Sequence, residues 1–515
     1  MQRARTALPH LPDMHSGGMF LQNGARFYVD HGFHPEVSTP ECTNPWDVVR
    51  YMLAGEQILL GLAGDLVAQQ EAIAKAQFFR CNVDYSGTNT MWGCHESYLH
   101  EGDPAVFPQQ LIPHLVSRIL YTGAGGFNSL SPGIQFTLSP RVSHFLCAVS
   151  KDSTQNRGIF HTKDEALSGN GYHRLHVICG ESLCSQTATW LKVGTTALVV
   201  ALIEAGLCPG DAVTLRSPLA AMRQFADDPT STAVVRSARG RELTALGIQR
   251  HYLALAEAHL QDAFMPSWAE AVCQQWRSVL DRLEHNASAL LTILDWPMKL
   301  ALYKKQVRHH GFAWESLPEW TQLVVWVHQA LDRTEYRGKS VTVEFVCGPG
   351  SSIADEVKRL TPFLREKGLT WEGVRSFLTL RRELYELDMR FGQLGTGIFA
   401  TLDREDVLTH RLSAIDNIEQ AVITPPAGGR ARLRGAWVRR LASNRARYVC
   451  DWQGVWDGQE GRVLDLSDPF ATEEQWRDDH EGEEEQVRWY TRLQARMTTL
   501  RQSLRPGLRV LGGRE

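Results

Sequence analysis

NGARFYVDHGFHPEVSTPE, residues 23 to 41, is the densest polar stretch in a chain of 515 residues. If Phe27 to Asp30 is extended, Tyr28 and Asp30 share one face, because strand side chains alternate. Glu36 follows beyond a glycine-containing turn, and Glu41 closes the stretch. Acids crowded on one sheet face repel unless a cation neutralises them. Hard carboxylate oxygens suit Mg²⁺ that also holds nucleotide phosphates. One acid left off the metal is then available as a base. The same residues also read as a solvated turn carrying surface acids.

Outward from this stretch, residues 1 to 18 read as a loop and Met19 to Asp30 as strand. Asn44-Pro45-Trp46-Asp47 sets a capping residue, a first-turn proline and an acid ahead of an amphipathic run through Val67, which predicts a helix. Helix is expected over Ala105 to Leu120 and over Thr187 to Ala205, the latter stopped by Gly206. Arg174 to Gly180 alternates as a strand. Residues 243 to 310 and Glu383 to Phe391 are helical in pattern, with KSVTVEFVC (339 to 347) as one strand candidate between them. The pattern implies an antiparallel or mixed sheet backed by helices, over residues 1 to 414. Thr424 to Gly429 (TPPAGG) is a punctuated linker within a small C-terminal domain of residues 415 to 475. Residues 476 to 515 read as a charged tail or helix, with six acids among positions 478 to 485 and arginines beyond.

Composition narrows the function. Apolar residues make up 43% and charged residues 22%, as in a folded globular protein. Lys plus Arg total 54 against 58 acids, not the basic balance of a nucleic-acid binder. The ten cysteines contain no C-x-x-C pair and read as reduced thiols, which fits the cytoplasm. The longest strongly apolar stretch, Thr196 to Ala205, is too short to cross a bilayer and contains Glu204, so no membrane partner is expected. No secretion signal is read at the N-terminus.

Three further clusters bear on chemistry. Asn82 to Glu96 ends in a His95-Glu96 pair, which suits a ligand or a satisfied core histidine. In Arg174-Leu175-His176 the arginine and histidine point the same way on a strand, and a guanidinium fork suits phosphate oxygens as well as a structural salt bridge. Cys347-Gly348-Pro349-Gly350-Ser351-Ser352 lacks the lysine and spacing of a P-loop and reads as a turn. There is no nucleophile elbow and no zinc spacing.

Several segments, in order along the chain, carry a resemblance: FLQNGARFYVD (20 to 30) with HPEVSTPEC (34 to 42), GCHESYL (93 to 99), TKDE (162 to 165), HRLHVICGES (173 to 182), LKVGTTALVVALIEAG (191 to 206), ELDMRF (386 to 391) and AVITPPAGGRARLRG (421 to 435). The chain resembles the Pup ligase and depupylase family, relatives of glutamine synthetase. The resemblance implies an α+β fold with a curved antiparallel sheet backed by helices, which cradles ATP and Mg²⁺, and a small C-terminal domain. It implies that ATP phosphorylates the side-chain carboxylate of the C-terminal glutamate of a Pup-like modifier, and that a lysine of a target protein then attacks. Asp30 would take the lysine proton. Tyr28 and Glu36 would belong to the magnesium site, and Arg174 and His176 would lie by the phosphates.

Three residues between Asp30 and His34 lean toward the ligase branch, while Val29-Asp30-His31 is worded like the depupylase, in which the same aspartate serves isopeptide cleavage. Family members open with a strand bearing Gly-Ile-Glu-x-Glu, a motif not found in this sequence. That departure admits a third reading, an inactive homologue that binds the modifier. Residues 312 to 375 read as an insertion.

Overall fold

The computed structural model describes residues 1–30, 34–88, 90–152, 155–169, 171–332, 337–338, 340–347, 361–362 and 364–479. Helices are interspersed with mostly antiparallel sheets in an α+β arrangement. Packing divides the chain into two units. The first comprises Met1–Cys42, Leu167–Asn170 and Gln420–Glu515, and the second Thr43–Ala166 and Gly171–Glu419.

In the first unit, β1 (His10–Pro12), β2 (Met19–Leu21), β3 (Arg26–Val29) and β4 (Pro35–Ser38) form an antiparallel sheet in that order. The sequence predicts one strand over Met19 to Asp30. Instead the chain reverses at Asn23-Gly24, where Gly24 takes φ +81° and the Asn23 side chain accepts the amide of Ala25. A left-handed glycine after asparagine is a strong hairpin signal. Residues 1 to 18 are likewise more ordered than a loop, with a short helix at Gln2–Ala7 ahead of β1. A second four-stranded sheet runs from Tyr448–Cys450 through Gly454–Asp457 and Arg462–Asp465 to Trp476–Asp478. Leu11 and Phe20 share one core with Leu433, Val438, Val455 and Leu464. Residues 1–42 therefore pack with the C-terminal segment, a correction to the division at 414. Four short strands cannot bury their apolar faces alone, and the returning chain supplies the other half of the core. Of the predicted tail, residues 480 to 515 lie outside the described residues.

The second unit is built on the helix Gln186–Glu204, whose Ser185 cap accepts the amide of Ala188 and which ends before Gly206 at φ +78°. Trp190, Leu198 and Leu202 sit in the centre of its core. The strand β5 (Glu96–His100) pairs with His173–Val177, then Gly158–His161, then Cys147–Ser150, and only the last pair is parallel. Asn44 caps the helix Pro45–Gln69 as its sequence predicts, accepting the amide of Asp47 at 2.9 Å. The helices Pro45–Gln69 and Gln186–Glu204 are both long and apolar enough to cross a membrane by composition, the second mostly buried within its unit and the first mostly not.

KSVTVEFVC is not a strand. Val343–Cys347 is helical, and Val341 and Phe345 are buried in a satellite core with Val324, Val327 and Phe377. Its β-branched residues match a strand by propensity, but with apolar helices on every side it packs as one more helical turn.

Candidate active site

Strand register builds the first cluster. Tyr28 stands opposite Glu36 across β3 and β4, and Arg26 opposite Ser38. The phenol of Tyr28 hydrogen-bonds Glu36 and Ser38. Burial and then the Glu36 charge push this phenol well above its ordinary range, so it stays protonated and donates to the carboxylate. Glu36 is raised chiefly by burial; its bond from Tyr28 opposes this, and repulsion from Asp30 adds to it. Asp30 lies at the end of β3, where its amide donates to the carbonyl of His34 at 3.1 Å. The His34 amide donates to Asp30 Oδ1 at 3.0 Å, with the His34 ring 3.4 Å from the same oxygen. Residues 31 to 33 lie outside the described residues. Tyr28, Asp30 and Glu36 are therefore brought together.

Glu41 is not with them. Its carboxylate is engaged by Arg430 (2.6 Å) and Arg434, both buried in the helix Gly429–Leu441. Burial alone would raise this carboxyl, but Arg434 and then Arg430 outweigh it and hold it down to about 2. Arg434 also donates to the carbonyl of Gly24 at 3.0 Å and lies over the ring of Trp452, which ties the β2–β3 turn in place.

Two carboxylates and a phenol form a hard-oxygen set with less than a full coordination shell. Among the described residues no group of three or more His, Cys, Asp or Glu side chains could hold a metal by itself. This fits Mg²⁺, which is commonly bound by one or two carboxylates together with nucleotide phosphates and water.

The second cluster lies in the other unit. Arg174 and His176 project from one face of their strand, with Leu175 and Val177 buried on the opposite face. His161 pairs with His176 across the sheet, and the His176 ring meets those of His95 and His161 at 5.4 and 5.5 Å. Ser97 Oγ lies 3.3 Å from His176 Nδ1. Desolvation and then Arg174 hold His176 down at about 4, so it is neutral at pH 7. His95 is lowered too, by desolvation and then by Arg141. Arg174 Nε and His161 Nε2 are buried with no hydrogen-bond partner. Buried donors without partners, beside guanidinium groups and histidines kept uncharged chiefly by burial, make a place for an anion.

Of two further acids, the sequence singles out Glu96, with His95, but not Glu181. Glu96 forms a buried pair with Arg118 at 2.7 Å and is structural, so the His95-Glu96 pair splits between two roles. Glu181 is buried and receives the amide of Ala124 and the hydroxyl of Ser139. Arg141 lies so close to Gly93 that a Cβ there would fall 2.5 Å from the guanidinium, the physical reason for glycine in GCHE.

A family model described as Pup-ligase protein matches residues 2–329 and 360–456. The Pup--protein ligase 1 of Rhodococcus erythropolis is 32% identical over 465 residues, covering 89% of this chain and 88% of that one. The Pup--protein ligase of Acidimicrobium ferrooxidans is 33% identical over 468 residues, with 89% and 88% covered. A Pup deamidase/depupylase of Mycolicibacterium smegmatis is 40% identical over 309 residues, 58% of this chain and 60% of that one. The solved structure of the Pup ligase PafA in complex with ADP aligns with TM-score 0.67 and 25% identity, covering 88% of this chain and 87% of the other.

Proposed function

We infer, from the premise that this chain belongs to the Pup-ligase protein family, that it joins a Pup-like modifier to lysines of target proteins at the expense of ATP. The observation that carries this is the family match across residues 2–329 and 360–456, alongside curated ligases aligned over 89% of the chain. Use of a nucleotide is supported by the ADP bound in the PafA structure. We place the reaction in the cytoplasm, and read neither membrane nor nucleic acid as a partner.

A carboxylate is a poor electrophile until phosphorylated. In the proposed sequence the γ-carboxylate of the modifier's terminal glutamate attacks the γ-phosphorus of ATP and releases ADP. The lysine nitrogen then attacks the acyl carbon, phosphate leaves, and the proton lost from nitrogen goes to the carboxylate of Asp30. Mg²⁺ held by Glu36 would neutralise phosphate charge, with Asp30 left off the metal as the base. Tyr28, although expected in the metal set, is better suited to orienting Glu36 through its hydroxyl. In the second unit, Arg174 would bind phosphate oxygens, and His176, kept neutral, would donate one hydrogen bond without adding charge.

The reverse reaction has a specific observation in its favour, the 40% identity to a depupylase over 309 residues. Intact-mass spectrometry separates the readings. With Mg-ATP, a glutamate-ended Pup and a lysine-bearing acceptor, the ligase yields a conjugate equal to the summed masses less one water. Cleavage of a preformed conjugate with no net synthesis would establish the hydrolase, and neither product would leave a modifier-binding homologue. Asp30→Asn is expected to abolish either reaction with the melting temperature unchanged; retained turnover would remove Asp30 from its role.

A further inference from the structure

Arg141 is 2% exposed, and among the described residues no carboxylate pairs with its guanidinium. Other buried arginines are answered by an acid, as Arg118 is by Glu96 and Arg434 by Glu41. A buried charge without an opposite charge is costly. Arg141 Nη1 donates instead to the carbonyl of Ile178 at 2.9 Å and to that of Gly180, and Nε is buried with no hydrogen-bond partner. The nearby Glu181 serves the main chain, accepting the amides of Arg141 at 3.3 Å and Ala124 at 2.6 Å.

The place of this charge is specific. The exposed main chain of Gly93 lies directly on the guanidinium, so closely that a Cβ there would stand 2.5 Å from its carbon. The Gly180 carbonyl that takes Arg141 also accepts the Cys94 amide at 3.1 Å. Arg141 thus ties the Gly93–His95 segment to the chain leaving the strand His173–Val177. These two segments carry His95 and His176, whose rings meet at 5.4 Å. A cation without a counter-charge, fixed beneath a cluster of donors, attracts an anion to that cluster.

We propose that Arg141 is a positioning residue for the anion site of Arg174 and His176. Its charge, held beneath Gly93, draws the phosphates in, and its bonds to two carbonyls keep the Gly93–His95 segment beside His176. This rests on the reading that the cluster takes nucleotide phosphates.

The test is ADP binding to the full chain with Mg²⁺ present, followed by isothermal titration calorimetry, which needs no turnover. Arg141→Met, which fills similar space without charge, is expected to weaken ADP binding about tenfold, the order expected when one unit charge is removed beside a partly buried site. Arg141→Lys keeps a cation within reach of the same carbonyls and is expected to bind within about threefold of the native chain; a part in packing alone would not favour lysine over methionine. Gly93→Ala acts on the same group without replacing it. Its Cβ drives the guanidinium off its carbonyls and is expected to weaken ADP binding by a similar factor; this variant decides the matter if Arg141→Met fails to fold. In the Arg141→Met background Gly93→Ala is expected to add nothing, because the guanidinium is gone and a flexible thioether yields. Arg174→Met separates the inference from its premise. If it binds ADP as tightly as the native chain, the premise falls and the inference with it. If Arg174→Met binds weakly but Arg141→Met or Gly93→Ala binds like the native chain, if Arg141→Lys is as weak as Arg141→Met, or if Gly93→Ala costs as much with Arg141 absent, only the role of Arg141 is overturned.

Discussion

At the scale of single residues, the acids of one short stretch divide by what the rest of the chain offers them. Asp30 and Glu36 stay together at the β3–β4 pair, whereas Glu41, a few positions on, is locked by two arginines some 390 residues away. Glu41→Gln leaves Arg430 and Arg434 buried and uncompensated, an expected loss of about 3 kcal/mol in urea unfolding, the low end for a broken buried pair because the carboxylate keeps some solvent. The linkage has a definite sign. A carboxyl held down to about 2 contributes stability that is fully present above its unfolded value near 4.5 and is lost as the pH falls toward 2. The native chain is thus expected to lose stability over that window, and the glutamine variant to lose less. Sequence reading found Asp30 and Glu36 as candidates, with Glu41 in the same acidic stretch. It could not sort them, because the sorting depends on which cation returns to which carboxylate.

At the scale of elements, the sequence was most legible where local rules act alone. The Asn44 cap, the stop at Gly206 and the alternation of Arg174-Leu175-His176 are all visible in a few consecutive residues. It misled where context prevails, as at Val343–Cys347, which strand-forming residues build as a helix against the satellite core. The start of the central helix Gln186–Glu204 shows a device no pattern reveals. His410 Nδ1 accepts the Gln186 amide at 3.1 Å, so the ring proton must sit on Nε2, which donates to Asp403 Oδ1 at 2.9 Å. Burial holds His410 below its ordinary pKa, opposed by Asp403 and Asp295 and aided by Arg411. A histidine kept neutral when folded favours unfolding as the pH drops below its unfolded value near 6.5. His410→Gln is expected to cost about 1–2 kcal/mol at pH 7.5, as a lost buried hydrogen bond does, and to flatten part of the decline in melting temperature between pH 7.5 and 5.5. Other histidines lowered by burial, among them His95, His114 and His176, should keep the remainder of that slope.

At the scale of the whole molecule, the two ends of the chain make one unit. β2 contributes Phe20 to a core whose other half is Leu433, Val455 and Leu464, so the strand pair carrying Tyr28, Asp30 and Glu36 depends on residues beyond 420. A chain ending at residue 419 is therefore expected to lose Mn²⁺ binding, and co-expression of residues 420–515 to restore it; a truncated chain that binds Mn²⁺ like the native one would show that β1–β4 stand alone. The family match gives a different whole-chain view, since residues 330–359 fall between its two matched segments, inside the stretch read as an insertion.

The sequence by itself determined the α+β class, the helices with capped ends, the family, and the few side chains able to carry the chemistry. These follow from period, capping and motif, which need only neighbours along the chain. Tertiary structure alone decided that Glu41 is a structural anchor, that Asp13 holds Arg26 against Tyr28, and that the N-terminal strands belong with the C-terminal segment. A charge acts through space, and which opposite charge comes within a few ångströms is settled only when distant segments pack around a common core.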